Sequence, residues 1–290
     1  IQAHSRIAMT RKPIRWEELS WEEISALRQS GVDLAILPVG ATEQHGHHLP
    51  LGVDTLSAVA VAEGVSARTG IPVLPALPYG CSLGHSRKWP GTISLRPETL
   101  SRIVFETAQW VLAAGFARML ILNGHVTNWA PLRCGLENIR ADLPDMRIAL
   151  RSVWELSAEA NAIYLADGGS NWHANDAETS LMLHLRPDLV RMDKAVDEPD
   201  RSACCFFSYT VDKESLSGGV GKPRRARATL GRRILKSCVD ALSVQLAGAM
   251  TERTPLEDWP DYLRRVEAAA PVPSRPARAL RAVKTSKRKR

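Results

Sequence analysis

Three short segments concentrate side chains able to hold a metal ion or move a proton. The first is Gly40-Ala-Thr-Glu43-Gln-His45-Gly-His47-His48-Leu-Pro-Leu-Gly-Val-Asp54. It places a carboxylate and three imidazoles directly after an apolar run, with a second carboxylate at the start of the next helical segment. Glu43 and His45 are two residues apart, so in an extended backbone they point the same way. A carboxylate and an imidazole facing one pocket can reach two neighbouring ions, and the two oxygens of Asp54 could bridge them. The plainer reading of Asp54 is an N-cap in a polar loop. The second segment is Leu120-Ile-Leu-Asn123-Gly124-His125-Val-Thr127-Asn128. Gly124 permits a tight turn at the end of an apolar run, and His125 projects from it. The third is Asn171-Trp172-His173-Ala-Asn-Asp-Ala-Glu178-Thr-Ser-Leu181. Taken alone, Glu178 is an acid in a first helical turn, where the helix dipole favours it.

The elements that must position these groups are legible from periodicity and punctuation. Residues 16–31 read as a helix, with Ser20 able to cap its main part and Gly31 ending it. The run Leu34-Ala-Ile-Leu-Pro-Val39 is a buried strand. Residues 55–69 have small apolar residues at helical spacing, and 73–77 are a further strand candidate. Residues 97–114 form an amphipathic helix opened by Pro97 and closed by Gly115. Residues 118–122 are the clearest buried strand. Helices are expected at 129–143, from 176 to 185 and at 229–251, and a strand at 147–153. Strands alternating with helices predict an α/β fold: a three-layer sandwich whose mainly parallel sheet is flanked by helices on both faces. In such folds sites gather where strands end and loops begin, and all three segments lie at such places.

Composition narrows the function classes. The chain has 290 residues, 44% hydrophobic and 24% charged, within the globular range. The net charge of +7 belongs to a tail. After Glu267 there are no acids but eight bases, ending Lys287-Arg288-Lys289-Arg290. That tail, residues 269–290, has too few large apolar residues to offset its ordering entropy and reads as disordered. The folded body is therefore near neutral, and nucleic acid is not an expected partner of it. Residues 1–15 read as an N-terminal extension or an expression remnant, and 16–268 as one domain. Five cysteines with no paired spacing argue against a disulfide framework and for a reducing cytoplasm. No apolar run of about 18 residues is present, so no membrane association is expected.

The motifs together resemble the creatininase family (creatinine amidohydrolase-like proteins). The resemblance covers residues 16–250 and rests on five motifs in the family's order. They are Pro38-Val-Gly-Ala-Thr-Glu-Gln-His-Gly46 running on to Asp54, then His85 followed by Trp89-Pro-Gly-Thr92. Asn123-Gly-His125, His173-Ala-Asn-Asp-Ala-Glu178-Thr-Ser180 and Gly218-Gly-Val-Gly-Lys-Pro223 complete the set. The resemblance implies a hydrolase with two divalent ions, Zn, Mn or Fe, held by Glu43, His45, Asp54, His125 and Glu178, with Asp54 bridging. Nitrogen and oxygen ligands without thiolate suit those metals. The two ions acidify a shared water, so a bridging hydroxide attacks the carbonyl and no activated Ser or Cys is needed. His173 is then the candidate general acid or base, because imidazole titrates near neutral pH. Trp89, Trp154, Trp172 and Thr127 are candidates to contact substrate. Creatininase itself carries a metal-ligating Glu where this chain has Thr127, so the resemblance does not extend to creatinine as substrate. The family also includes formamide hydrolases and a peptide-trimming enzyme. The expected reaction is cleavage of a non-peptide C–N amide bond, cyclic amide or formamide, in a small molecule. The alternatives are a peptidase or deformylase on a larger substrate, and a non-catalytic metal-binding protein whose basic tail contacts nucleic acid. The resemblance further implies a homo-oligomer, commonly a hexamer. The segment Ser217 to Pro223 lacks Walker spacing and is not a phosphate loop.

Overall fold

The computed structural model describes residues 11–85, 88–166 and 171–255. The chain divides into two units, residues 1–250 and 251–290. The expected tail and both proposed domain boundaries lie outside the described residues or are not marked by them. Among the described residues, no helix is long and apolar enough to cross a membrane.

A three-stranded parallel sheet forms the centre: β1 (Leu34–Val39), β2 (Arg118–Asn123) and β3 (Arg147–Ser152), with β2 in the middle. Val39 lies opposite Asn123, and Asn123 opposite Ser152, so the three carboxyl ends are level. Every residue of β1 is buried, which is why it reads as a continuous apolar run without alternation. Its side chains still alternate between two cores. Leu34 and Ile36, with Leu120 and Leu122 of β2, face one core with Val61, Val65, Ile234 and Leu242. Ala35, Leu37 and Val39, with Met119 and Ile121, face the other with Leu100, Val104, Leu132 and Ile139. Each such Leu, Ile or Val contributes about 1.5–3 kcal/mol on burial.

The first core is closed by α2 (Val53–Thr69), α5 (Ala158–Tyr164) and α8 (Ala228–Ala249), the second by α3 (Pro97–Ala113) and α4 (Trp129–Asp142). This is the expected sandwich. α1 (Trp21–Gln29), α6 (Asp176–Leu185) and the single turn α7 (Val211–Glu214) complete the helices longer than a 3₁₀ turn among the described residues.

Three expectations are corrected. The helix expected over 16–31 is broken. A 3₁₀ turn at Trp16–Glu18 precedes an extended Leu19, and α1 starts only after Ser20, whose side chain and that of Glu23 make a reciprocal capping box. The strand expected over 73–77 is reduced to isolated bridges of Val73 to Ile36 and of Leu77 to Val39. Pro75 and Pro78 have no N–H to donate, and Pro38 withholds the donor on the facing edge of β1, so a continuous ladder cannot form. Finally, α2 begins at Val53, with Gly52 at its N-cap. Asp54 is therefore inside the first turn and is not a cap, which leaves its carboxylate free for other partners.

The turn after β2 is pressed onto α2. A Cβ on Gly124 would lie 2.2 Å from the Asp54 carbonyl oxygen, a backbone atom that no rotamer change can move. Gly124→Ala is accordingly expected to destabilise the fold by about 1–3 kcal/mol, lowering the thermal midpoint by roughly 2–10 °C. An unchanged midpoint in a thermal melt would show that this approach is not tight.

Candidate metal centre

Four elements deliver the polar groups to one place. The loop after β1 carries Glu43 and His45, the first turn of α2 carries Asp54, the turn after β2 carries His125, and the start of α6 carries His173 and Glu178. All six are buried. α6 is positioned by a local device: Asn175 accepts the Glu178 N–H at its N-cap, while the Glu178 carboxylate accepts the Ala174 N–H at 2.6 Å. Ala174 adopts φ 51°, the one left-handed non-glycine among the described residues, and so turns the chain sharply between His173 and the helix.

Asp54 sits at the centre. Its Oδ1 is 3.3 Å from His45 Nε2, and its Oδ2 is 3.2 Å from His125 Nδ1. His45 Nε2 is also 3.6 Å from Glu178 Oε1, and His125 Nε2 is 3.3 Å from Glu43 Oε2. The other ring nitrogens decide what these contacts are. His45 Nδ1 donates to the Glu43 carbonyl at 3.2 Å, and His125 Nε2 donates to the Cys81 carbonyl at 3.2 Å. In its neutral form each ring would turn a lone pair toward one oxygen of Asp54, so that acceptors would face acceptors, and both Glu43 oxygens, His45 Nε2 and Asp54 Oδ2 are buried without a hydrogen-bond partner. Buried polar atoms are rarely left so. Cations placed among them would satisfy all four, so the residues fit a metal centre. Three overlapping sets are close enough to hold an ion: Glu43 with His45 and Asp54, His45 with His173 and Glu178, and Glu43 with His85 and His173.

Proton affinities report the same excess of acceptors. Burial pushes the Glu43 carboxyl up to about 7, despite the nearby His125. Burial would raise Asp54, but His45 and His125 outweigh it and hold the group well below the carboxylate range. Burial would lower His45, but Asp54 and Glu178 raise it well above its ordinary value. Burial likewise opposes, and Glu43 and Asp54 overcome, a rise of His125 to about 9. For His173 the balance reverses: burial, then His45, outweigh Glu178 and the Gln44 backbone bond and push it down to about 4, below the near-neutral range expected from residue type.

A cavity of about 370 Å³ opens beside these groups, lined in part by His85, Thr127, Trp154, Asn161, Asn171 and Trp172. Trp154 and Trp172 meet edge to face at 5.6 Å, and Trp172 packs on Tyr164 at 4.9 Å. Thr127 Oγ1 hydrogen-bonds the Cys81 carbonyl and reaches His125 Nε2. Trp89 is not among the lining residues; Lys88 Nζ lies 4.8 Å from its ring centroid. His47 is exposed, whereas His48 is buried and bonds Thr179 of α6 at 2.9 Å.

The matches to known proteins agree with this geometry. The family model Creatininase (creatinine amidohydrolase) matches residues 17–246. The chain belongs to the creatininase family. It is 33% identical over 242 residues to the creatinine amidohydrolase of Pseudomonas putida, covering 78% of this chain and 93% of that one. It is 32% identical over 221 residues to a mycofactocin precursor peptide peptidase of Mycobacterium tuberculosis (strain ATCC 25618 / H37Rv), covering 71% and 81%. The crystal structure of creatinine amidohydrolase superposes with a TM-score of 0.76 at 30% identity, over 83% of this chain and all of that one. Solved creatininases include a mutant of Zn–Zn type and a Mn form. These creatininase-family relatives share hydrolysis, as amidohydrolase or peptidase, and this chain is a hydrolase of that family.

Two residues in this region escaped the sequence reading. Gln44, inside the first motif, reaches three groups far away in sequence. Glu198 is buried in a loop without periodicity. It accepts hydrogen bonds from Ser215 Oγ (2.9 Å), Leu216 N (2.6 Å), Ser217 N (2.9 Å) and Ser217 Oγ, and pairs with Arg201 at 2.6 Å. It thereby ties down the Gly-rich loop whose Val220 pairs through both backbone bonds with His173. Burial would raise its pKa, but the Leu216 and Ser217 donors outweigh it and bring Glu198 down to about 2. A lowered carboxylate stabilises the fold above its unfolded value and loses that contribution as pH falls through the folded one. Glu198→Gln should therefore cost up to ~3 kcal/mol at neutral pH, with the gap to wild type closing between pH 4.5 and about 2. Melting temperatures of both proteins across that range check this. A gap independent of pH would refute the charge argument.

Proposed function

We propose that this protein is a metal-dependent amidohydrolase cleaving a non-peptide C–N amide bond, cyclic amide or formamide, in a small molecule. The observation that carries this is the set of inward-facing, unpaired acceptor atoms of Glu43, His45 and Asp54 beside a walled cavity. In this reading Glu43, His45, Asp54, His125 and Glu178 would hold two divalent ions, Zn, Mn or Fe, and Asp54, which lies against both His45 and His125, would be the ligand they share. When bound, the ions supply Lewis acidity and acidify the attacking water. The flat walls of Trp154 and Trp172 hold a planar amide against the centre and exclude water from its far side. Thr127 and the Asn161 and Asn171 amides offer polar contacts at the cavity edge. His173 has its Nε2 bonded to the Gln44 carbonyl at 2.7 Å, so its free lone pair is on Nδ1, 3.7 Å from Glu43 Oε1. That nitrogen takes a proton from water as its oxygen bonds to the carbonyl carbon. It returns the proton to the leaving nitrogen as the C–N bond breaks.

A second reading, a peptidase on a larger substrate, is favoured by one observation. A further cavity of about 480 Å³ shares Leu165, Asn171 and Trp172 with the first. The discriminating experiment offers metal-loaded protein lactams, formamides, ureas and short peptides in one panel. Turnover of the first three classes supports the main reading, and turnover of peptides alone supports the second. No hydrolysis of any of them by protein carrying its ions would defeat both. A homo-oligomer in a reducing cytoplasm belongs to the same proposal; all five cysteines are free thiols.

A further inference from the structure

Gln44 lies between two proposed metal ligands, yet its side chain turns away from the ions into a buried junction. The orientation of its amide is decided by two backbone groups whose roles are beyond question. Oε1 accepts the Gly46 N–H at 3.0 Å, and Nε2 donates to the Gly218 carbonyl at 2.9 Å. Nε2 has a second N–H, and two imidazoles within reach: His85 Nδ1 at 3.0 Å and His173 Nε2 at 3.2 Å. His173 Nε2 already donates to the Gln44 carbonyl at 2.7 Å. A protonated nitrogen cannot accept, so the remaining amide N–H goes to His85 Nδ1. His85 Nδ1 is then unprotonated and its single proton sits on Nε2. That nitrogen is 3.8 Å from Glu43 Oε2, and His85 lines the cavity. The junction has no slack: Gly218 adopts φ +92°, and a Cβ there would lie 2.1 Å from Gln44 Oε1.

We propose that Gln44 is a positioning residue that assigns the tautomers of both histidines, and that His85 is a catalytic residue whose Nε2–H donates a hydrogen bond to the substrate's carbonyl oxygen. The two rings thereby present opposite chemistry to the same cavity: a lone pair from His173 Nδ1 and an N–H from His85 Nε2. A neutral imidazole does not give up its proton, since that would leave an imidazolate. His85 therefore stabilises the oxyanion that forms as water adds, and no proton leaves it. The inference rests on the amide-hydrolase reading only for the atom that the N–H meets.

The test combines a spectrum with kinetics. In zinc-loaded, ¹⁵N-labelled protein, His85 should show a protonated Nε2 and an unprotonated Nδ1, and His173 the same pattern, assigned by comparison with His85→Phe and His173→Gln. In Gln44→Glu the carboxylate can only accept, so the proton of His85 should move to Nδ1. With a substrate from the panel, kcat should then fall about 10²–10³-fold, the range for losing one oxyanion donor, with KM changed little and both ions retained. His85→Phe should lose as much, and the double variant no more. If Gln44→Glu does not fold, the wild-type spectrum and His85→Phe decide. A wild-type His85 protonated on Nδ1 overturns the proposal, as does full kcat in His85→Phe. The spectrum needs no substrate, so its failure is separate from a failure of the amide-hydrolase reading.

Discussion

Asp54→Ala should bind neither ion. Wild-type protein prepared without chelator is expected to carry up to two transition-metal ions per chain, and the variant close to none. One carboxylate contacts both imidazoles, Oδ1 toward His45 and Oδ2 toward His125, so its removal opens both positions together. Turnover should fall on the order of 10⁴-fold or more, because carbonyl polarisation and water activation, each several kcal/mol, go with the ions. Glu178→Gln makes the contrast. Glu178 faces His45 but makes no contact with His125 among its ion pairs, so this variant should lose mainly one ion. Metal analysis by mass spectrometry, with circular dichroism to confirm folding, checks both. Two ions retained in Asp54→Ala would remove Asp54 from the bridging role, and no metal in wild-type protein even on titration would remove the centre.

His173→Ala should keep the fold and both ions yet lose roughly 10²–10⁴-fold in turnover, the range for a general acid–base group. Its Nε2 is held by the main chain of Gln44, and its backbone pairs with Val220. What the alanine removes is therefore a positioned lone pair at the rim of the centre. The loss should shrink for substrates with good leaving groups, which need less protonation as the C–N bond breaks. The rival outcome is specific. His173 also stands within ligating distance of His45 and Glu178. If the variant loses an ion, His173 is a ligand and the proton moves through another group.

Much of this protein was legible before any fold was drawn. β1 and β2 announce themselves because strands buried on both faces are written as unbroken apolar runs. The candidate ligands cluster because the loops that follow such strands are where polar groups can reach a common point. Hence Glu43, His45, Asp54, His125 and Glu178 could be named as candidate ligands from residue type and spacing together with the family pattern, and the fold brings them together. Local chemistry also marked Ser20 as a cap, and it is one. Where the reading failed locally, a neighbouring backbone group decided. The ladder at 73–77 fails through prolines on both edges, and Asp54 is not a cap because α2 starts one residue before it. What the linear order could not contain is which nitrogen of each ring carries the proton. That depends on partners 41 residues away for Gln44 and His85 and 129 for Gln44 and His173. It depends too on a loop tied down by Glu198, which no periodicity marks. Residue identity determined that a metal could be held here. Only the packed fold decided which lone pairs face inward, because a hydrogen bond is directional and its partner must already be in place.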